Sequence, residues 1–380
     1  MDYTLIATST FGIEAITAKE LKKLGYEDLI IENGRVTFLG DEMDIAICNI
    51  WLRTADMVLI KMTEFKATSF EELFQGTLAV DWGSIIPSNG KMHIIGKSIK
   101  STLHSVPDCQ SIVKKAVVES MKKTYNKEWF EEDGPVYKIE VALLKDQVTL
   151  TIDSSGAGLH KRGYRSEAGM APLKETLAAS LVLLSKWEPS RQLSDPLCGS
   201  GTIPIEAALI GKNIAPGLNR TFVSETWNII SSDVWEQVRE GARLSINKEE
   251  FKILASDIDV SMLNIAKDNA ERAGVSNYIS FQKMDMEEFT SRKKYGYIIC
   301  NPPYGERMGE IETVEELYRT LGRKYLNLDT WSFYVITANT NFQNLFNKKA
   351  DKNRKLYNGR LLCYYYQYIR EVPKHVEITE

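Results

Sequence analysis

No apolar run in this chain of 380 residues approaches the ~20 that a membrane-spanning helix needs. The N-terminus also lacks a signal-peptide pattern, so we expect a cytoplasmic protein with no membrane partner. Cysteine is scarce. Cys48, Cys109, Cys198, Cys300 and Cys363 stand singly with no Cys-x-x-Cys pair, which argues against structural zinc and a disulfide framework. Four histidines (His93, His104, His160 and His375) show no metal-ligand spacing, and no metal is expected. A formal net charge of −4 excludes a uniformly basic nucleic-acid coat, so any such contact must come from local patches.

The length admits two or three domains. Residues 1–65 read β–α–β–β–α–β, with strands at Tyr3–Thr8, Leu29–Ile31, Arg35–Phe38 and Met57–Met62 and helices at Gly12–Leu24 and Asp41–Arg53. Asn33-Gly34 marks a hairpin and Asp41 a helix cap, and the order predicts a ferredoxin-like α+β domain. Residues 66–155 predict a second α+β domain, with helices at Ser69–Val80 and Cys109–Tyr125 and strands at Met92–Ile99, Val136–Leu144 and Gln147–Ile152. Between Lys91 and Lys127 eight lysines face two acids, Asp108 and Glu119. The excess suits phosphate contacts through Lys97, Lys100, Lys114, Lys115, Lys122 and Lys123, and equally a solvated helix face.

Residues 156–190 form a linker and a bridging helix. Its basic run supplies His160, Lys161, Arg162 and Arg165 as further candidate RNA contacts, with a solvated linker as the competing reading. A helix is predicted from about Pro172 to Trp187.

Residues 191–380 alternate strand and helix, as a doubly wound α/β domain does. Its first strand ends in Asp195-Pro196-Leu197-Cys198-Gly199-Ser200-Gly201-Thr202, and a helix follows over Ile203–Ile210. The spacing is neither the dinucleotide Gly-x-Gly-x-x-Gly nor a Walker loop, but its glycines let backbone approach a ligand at a helix start. The second strand, Lys252–Ser256, ends at Asp257-Ile258-Asp259. Asp257 is placed either to hold ribose hydroxyls or to cap the helix Ser261–Ala273. The third, Tyr278–Gln282, leads to Asp285 and Met286, an acceptor for an adenine amine and an apolar neighbour for its ring. The fourth, Tyr297–Cys300, delivers Asn301-Pro302-Pro303-Tyr304-Gly305. Trp331–Thr337 reads as a fifth strand, followed by a closing hairpin, Lys355–Gly359 and Leu361–Ile369.

Two prolines fix the backbone after Asn301, whose amide oxygen can accept from an exocyclic amine together with the Pro302 carbonyl. Tyr304 offers a ring on which a base can stack. Cys198 and Cys300 raise cytosine-C5 chemistry, but no activating charge flanks either, and small buried cysteines are the better reading.

On Leu159–Arg165 (LHKRGYR), Ala171–Ala179 (APLKETLAA), Asp195–Ala207 (DPLCGSGTIPIEA), Ile214–Arg220 (IAPGLNR) and Asn301–Gly305 (NPPYG) the chain resembles the class I S-adenosylmethionine-dependent methyltransferases that modify exocyclic amines of bases. It is most similar to the bacterial THUMP-domain RNA guanine-N2 methyltransferases, including the N-terminal half of the fused large-subunit rRNA enzymes. The resemblance covers essentially the whole chain. It implies a Rossmann-like methyltransferase domain behind a ferredoxin-like and a THUMP domain, and S-adenosylmethionine as cofactor. Asp195, Pro196, Cys198, Gly199, Ser200, Gly201, Thr202, Asp257, Ile258, Asp285, Met286 and Asn301 would hold that cofactor. Asn301, Pro302, Pro303 and Tyr304 would form the catalytic set. The implied substrate is guanine N2 in 23S rRNA, with tRNA second. Thr221–Trp227 is less basic than the family pattern. DNA adenine-N6 and protein glutamine-N5 methylation, and a non-catalytic RNA-binding assembly factor, remain as alternatives.

Overall fold

The computed structural model describes residues 2–165, 173–305 and 311–371. Ala171, Pro172 and His375, named above, lie outside the described residues. The chain divides into two compact units. One comprises the chain up to Ser9, Thr17–Leu159 and Arg220–Ala242; the other comprises Thr10–Ile16, His160–Asn219 and the chain from Arg243 onward.

In the first unit β1 (Tyr3–Ser9), α1 (Glu14–Lys23), β2 (Ile30–Glu32), β3 (Arg35–Gly40), α2 (Glu42–Trp51) and β4 (Ala55–Lys66) follow the ferredoxin-like order. Asp41 caps α2, accepting from Met43 and Asp44. There follow α3 (Phe70–Leu78), β5 (Lys91–Ile99), α4 (Val106–Tyr125), β6 (Val136–Leu144) and β7 (Gln147–Asp153). Strand β4 pairs with both β1 and β7, so one seven-stranded sheet runs β2-β3-β1-β4-β7-β6-β5 through the whole unit. Period-two burial explains the two-sidedness of β6. Tyr137, Ile139, Val141 and Leu143 enter the core, while Lys138, Glu140 and Ala142 are half-exposed.

The second unit opens with α5 (Glu175–Ser185), a shorter helix than the sequence predicts, then β8 (Leu193–Asp195) and α6 (Thr202–Gly211). Helix α7 (Ser232–Leu244), which belongs to the first unit up to Ala242, precedes β9 (Ile253–Asp257), α8 (Val260–Arg272), β10 (Ile279–Lys283), β11 (Tyr297–Cys300), α9 (Ile311–Asn327), β12 (Ser332–Thr337), α10 (Phe342–Leu345), β13 (Lys352–Asn358) and β14 (Leu361–Tyr368) in the second. The sheet order is β10-β9-β8-β11-β12-β14-β13. The first five strands are parallel and β14 and β13 close the edge antiparallel. Strand order reverses between β8 and β11, and the carboxyl ends on either side of that switch are where open α/β sheets bind ligands.

Within the segment 191–380, expected to form one domain, Arg220–Ala242 packs with the first unit. Aromatic surface is the cause. The Trp227 ring stacks on Tyr137 at 4.8 Å and its indole N–H donates to the Val136 carbonyl at 3.0 Å. Phe222 stacks on Trp235, and Arg239 pairs with Glu225 at 2.6 Å.

Candidate active site

The turn after β8 is built by backbone geometry. Gly199 and Gly201 sit at φ +50° and +83°, in the region that favours glycine. A Cβ on Gly201 would also stand 3.0 Å from that of Ala266, so the turn and the packing of α8 both require its absence. The Gly199 N–H donates to Asp257 Oδ2 at 2.8 Å, tying the first strand end to the second. Asp257 Oδ1 accepts from the Asp259 N–H at 3.0 Å. Each oxygen keeps one lone-pair direction for a ligand hydroxyl. Asp257 does not cap the following helix; Asp259 does, accepting from the Ser261 N–H at 2.8 Å.

These ends open on a cleft of about 830 Å³ within the second unit. Pro196, Gly199, Asp257, Ile258, Asp285, Met286, Asn301 and Pro303 line it, all of them expected. Ile258, 64% exposed, offers an apolar surface at the rim, and Asp285 is fixed by accepting from the Glu287 N–H at 2.8 Å. Asp195, Cys198, Ser200, Gly201 and Thr202 stand behind the lining and shape the turn. Asp195 is buried, and burial, with the Asp257 carboxylate adding to it, pushes its carboxyl well above the usual range. Burial likewise pushes the Cys198 and Cys300 thiols up, which agrees with packing rather than nucleophilic roles.

The sequence reading missed the opposite wall. Glu312, Thr313, Glu316, Leu317 and Thr320 of α9 line the cleft, with Leu197, Met284 and Glu287. Helical periodicity was the available signal, but it does not say which face meets a cleft. Arg323 bridges the wall, pairing with Glu287 at 3.2 Å and Glu316 at 2.9 Å.

At the fourth strand end the Tyr304 hydroxyl donates to Asn301 Oδ1 at 2.7 Å, and the ring packs against the core rather than lining the cleft. Burial raises the Tyr304 hydroxyl pKa, so it stays a donor at neutral pH. The Pro303 carbonyl accepts from the Tyr318 hydroxyl at 2.7 Å, and Tyr318 also bonds Thr337 at 2.9 Å. Pro302 is buried, and among the described residues its carbonyl accepts no hydrogen bond.

The basic candidates divide sharply. Arg162 is buried, with two nitrogens 3.4 Å from the carboxylate of Glu206, which also accepts from Tyr164 at 3.1 Å. Arg165 donates to Thr202 Oγ1 at 2.8 Å and to the Leu173 carbonyl at 3.2 Å, and pairs with Glu175 at 3.4 Å. Both arginines therefore brace α6 and α5, and the RNA role expected of them is corrected: their guanidiniums are spent on buried acids. His160 is half-buried and Lys161 exposed. Among the lysines, Lys97 pairs with Glu140 at 2.7 Å, Lys114 with Glu132, and Lys122 with Glu119 and Glu128 at 3.2 Å. Acids beyond the counted window thus neutralise three of the six candidate lysines. Lys115 lies over the Phe74 ring, while Lys100 and Lys123 are exposed.

The residues fit S-adenosylmethionine. A glycine turn with no side chain to clash, paired acids for hydroxyl and amino groups, and apolar Ile258 and Met286 for a purine ring surround one cleft. Comparison with known proteins agrees. Three family descriptions match in order: RlmL ferredoxin-like domain over residues 4–59, THUMP domain over 67–153, and RMKL-like methyltransferase domain over 162–367. The Bacillus subtilis (strain 168) protein YpsC, named as a candidate RNA methyltransferase, is 53% identical over 381 residues, covering 100% of this chain and 99% of that one. The ribosomal RNA large subunit methyltransferase K/L of Photobacterium profundum is 32% identical over 94% of this chain, which spans 52% of that protein. A Listeria monocytogenes (str. 4b F2365) crystal structure, described as a predicted N6-adenine-specific DNA methylase, superposes with TM-score 0.94 at 49% identity, covering 98% of this chain and 97% of that one. SMU.472, a candidate methyltransferase crystallised with SAH, gives TM-score 0.93 at 42% identity, covering 98% and 99%. With its three domains matched in order and a relative alike from end to end, the chain belongs to the RMKL-like methyltransferase family, whose cofactor is S-adenosylmethionine.

Proposed function

We propose that the chain methylates RNA at the exocyclic N2 of a guanine, with 23S rRNA as the substrate class. The observation that carries the chemistry is the position of Asn301, at the end of β11 on the wall of the cleft, with its amide oxygen held by Tyr304. The cofactor supplies an electrophilic sulfonium methyl when bound. Asn301 Oδ1 and the Pro302 carbonyl would accept the two N–H groups of the amine, turning its lone pair toward the cleft and favouring sp³ character at nitrogen. That is positioning and electrostatics, and an approach at about 3–3.5 Å suffices. A strong base is not required before transfer, because the nitrogen becomes acidic once methylated. The amine must leave the base stack to reach the cleft.

RNA as the polymer rests on the THUMP match and on the names of the B. subtilis and P. profundum relatives. The guanine-N2 and 23S assignments rest on the resemblance to the N-terminal half of the fused rRNA enzymes. The Listeria description favours a second reading, adenine N6 in DNA, since Asn-Pro-Pro-Tyr accepts that amine equally well. Radiolabelled S-adenosylmethionine offered with rRNA, tRNA and DNA from cells lacking the gene, followed by nucleoside mass spectrometry, separates them. N2-methylguanosine in 23S rRNA supports the proposal; the same nucleoside in tRNA overturns the substrate; N6-methyladenine overturns the base.

A further inference from the structure

Three lysines far apart in the sequence meet at one end of the first unit's sheet. Strand register places Lys66 opposite Gln147, Gln147 opposite Leu144 and Leu144 opposite Ile99, a row across β4, β7, β6 and β5. The Lys145 N–H donates to the Ile99 carbonyl at 3.1 Å, and the Ala67 N–H donates to the Asp146 carbonyl at 2.9 Å. Lys66, Lys145 and Lys100 therefore crown adjacent strand ends over three strand spacings, about 14 Å. All three are exposed, and among the described residues none makes an ion pair. Nearby acids are committed: Asp146 accepts from the Thr102 N–H at 2.6 Å, Glu72 accepts from Thr68 and Ser69 at the start of α3, and Glu64 pairs with Lys61. The Asp146 and Glu72 carboxylates keep their charge, so three lysines against two acids leave the row a net +1, and none of the three is locked in an ion pair as Lys97, Lys114 and Lys122 are.

Directly inside this row the open sheet face holds a hollow of about 700 Å³, whose walls include Ile99, Leu144 and Thr151 and three acids, Glu32, Glu64 and Glu140, each neutralised by an ion pair with Arg35, Lys61 or Lys97. Ile99 and Leu144 are 52% and 55% exposed. Thr151 is only 4% exposed, yet its hydroxyl has no hydrogen-bond partner. A buried hydroxyl left unpaired is costly unless something bonds it.

We propose that this unit grips an RNA strand with its phosphates on Lys66, Lys145 and Lys100 and unpaired nucleotides lodged in the hollow, which runs from Ile99 and Leu144 beside the row to Thr151, about 13 Å further along β7. The inference rests on the RNA reading above and names the surface that serves it. Cations on a line match a phosphate backbone, and a hollow of apolar and hydroxyl groups among paired charges suits an unstacked base and its ribose.

The test measures binding of the full chain to a fluorescein-labelled unstructured 20-nucleotide RNA across a salt series. Lys66→Ala, Lys100→Ala and Lys145→Ala together should weaken binding at least tenfold at 100 mM salt and reduce the log–log salt slope by about 2, from three single-strand phosphate contacts. Thr151→Val, of equal shape, should weaken binding severalfold with Tm unchanged or raised. The control set Lys114→Ala and Lys122→Ala, outside the hollow, should leave the slope unchanged. An unaltered slope in the first set, or equal slopes in both, overturns the assignment while leaving the RNA reading standing. Failure of the unmutated chain to bind RNA at 50 mM salt, with cofactor binding intact by calorimetry, overturns both.

Discussion

The hydroxyl of Tyr304 donates to the amide oxygen of Asn301 at 2.7 Å, so the side chain expected to stack on a base instead holds the group expected to receive its amine. Thiol and ring packing fix the donor in turn, with Cys363 3.7 Å from the same hydroxyl. Tyr304→Phe keeps a ring and removes the bond. We expect kcat to fall about tenfold, the equivalent of one hydrogen bond, with the RNA KM unchanged. A silent Tyr304→Phe together with an inactive Tyr304→Ala would return the residue to a stacking role.

Asn301→Ala should leave S-adenosylmethionine affinity within about threefold and lower kcat by at least about 100-fold, the cost typical of removing a transition-state hydrogen-bonding group. Calorimetry and single-turnover methylation read the two separately. Parallel losses would mark Asn301 as a structural residue.

Asp257 both lines the cleft and receives the Gly199 N–H. Asp257→Ala should therefore weaken cofactor binding at least tenfold and loosen the glycine turn, which hydrogen exchange at Gly199 would report. Unchanged affinity would remove Asp257 from the cofactor site.

Asp195 carries a raised carboxyl pKa because it is buried. The folded state then holds its proton above the pH at which the unfolded chain releases it, so this group's contribution to stability falls as pH rises out of the ordinary carboxylate range toward the raised value. Asp195→Asn removes the titration. Its Tm should gain on that of the unmutated chain between pH 5 and pH 7.5, while cofactor affinity drops. A constant Tm difference across that range would show that Asp195 ionises normally.

Arg162 and Glu206 form an ion pair with both side chains buried. Arg162→Ala should cost about 3–5 kcal/mol by leaving a buried carboxylate unpaired. Adding Glu206→Leu should recover part of the loss. Neither change should move the salt slope of RNA binding; a shifted slope would place Arg162 on the RNA after all.

Much of the architecture was legible because it is written locally. Alternating burial marks β6, the Asp41 cap marks α2, and Pro302-Pro303 ends β11, each within a few residues. The four strand-end motifs lay in plain sight for the same reason, since strand ends in a parallel sheet gather at one edge whatever lies between them. Charges were not legible in that way. Lys114 and Lys122 looked available until Glu132 and Glu128 closed on them, and Arg162 looked RNA-facing until Glu206 met it from 44 residues away.

From its sequence alone the chain determined its strands and helices, its glycine turn, its acids and its Asn-Pro-Pro-Tyr, because side-chain period and turn chemistry act over a few residues. Tertiary structure alone decided that α9 walls the cleft, that Arg220–Ala242 packs with the first unit, that two arginines are braces, and that Lys66, Lys100 and Lys145 share one edge. Each of these depends on strand neighbours and buried partners remote in the chain, and no local pattern encodes which remote partner a charge or a helix face will find.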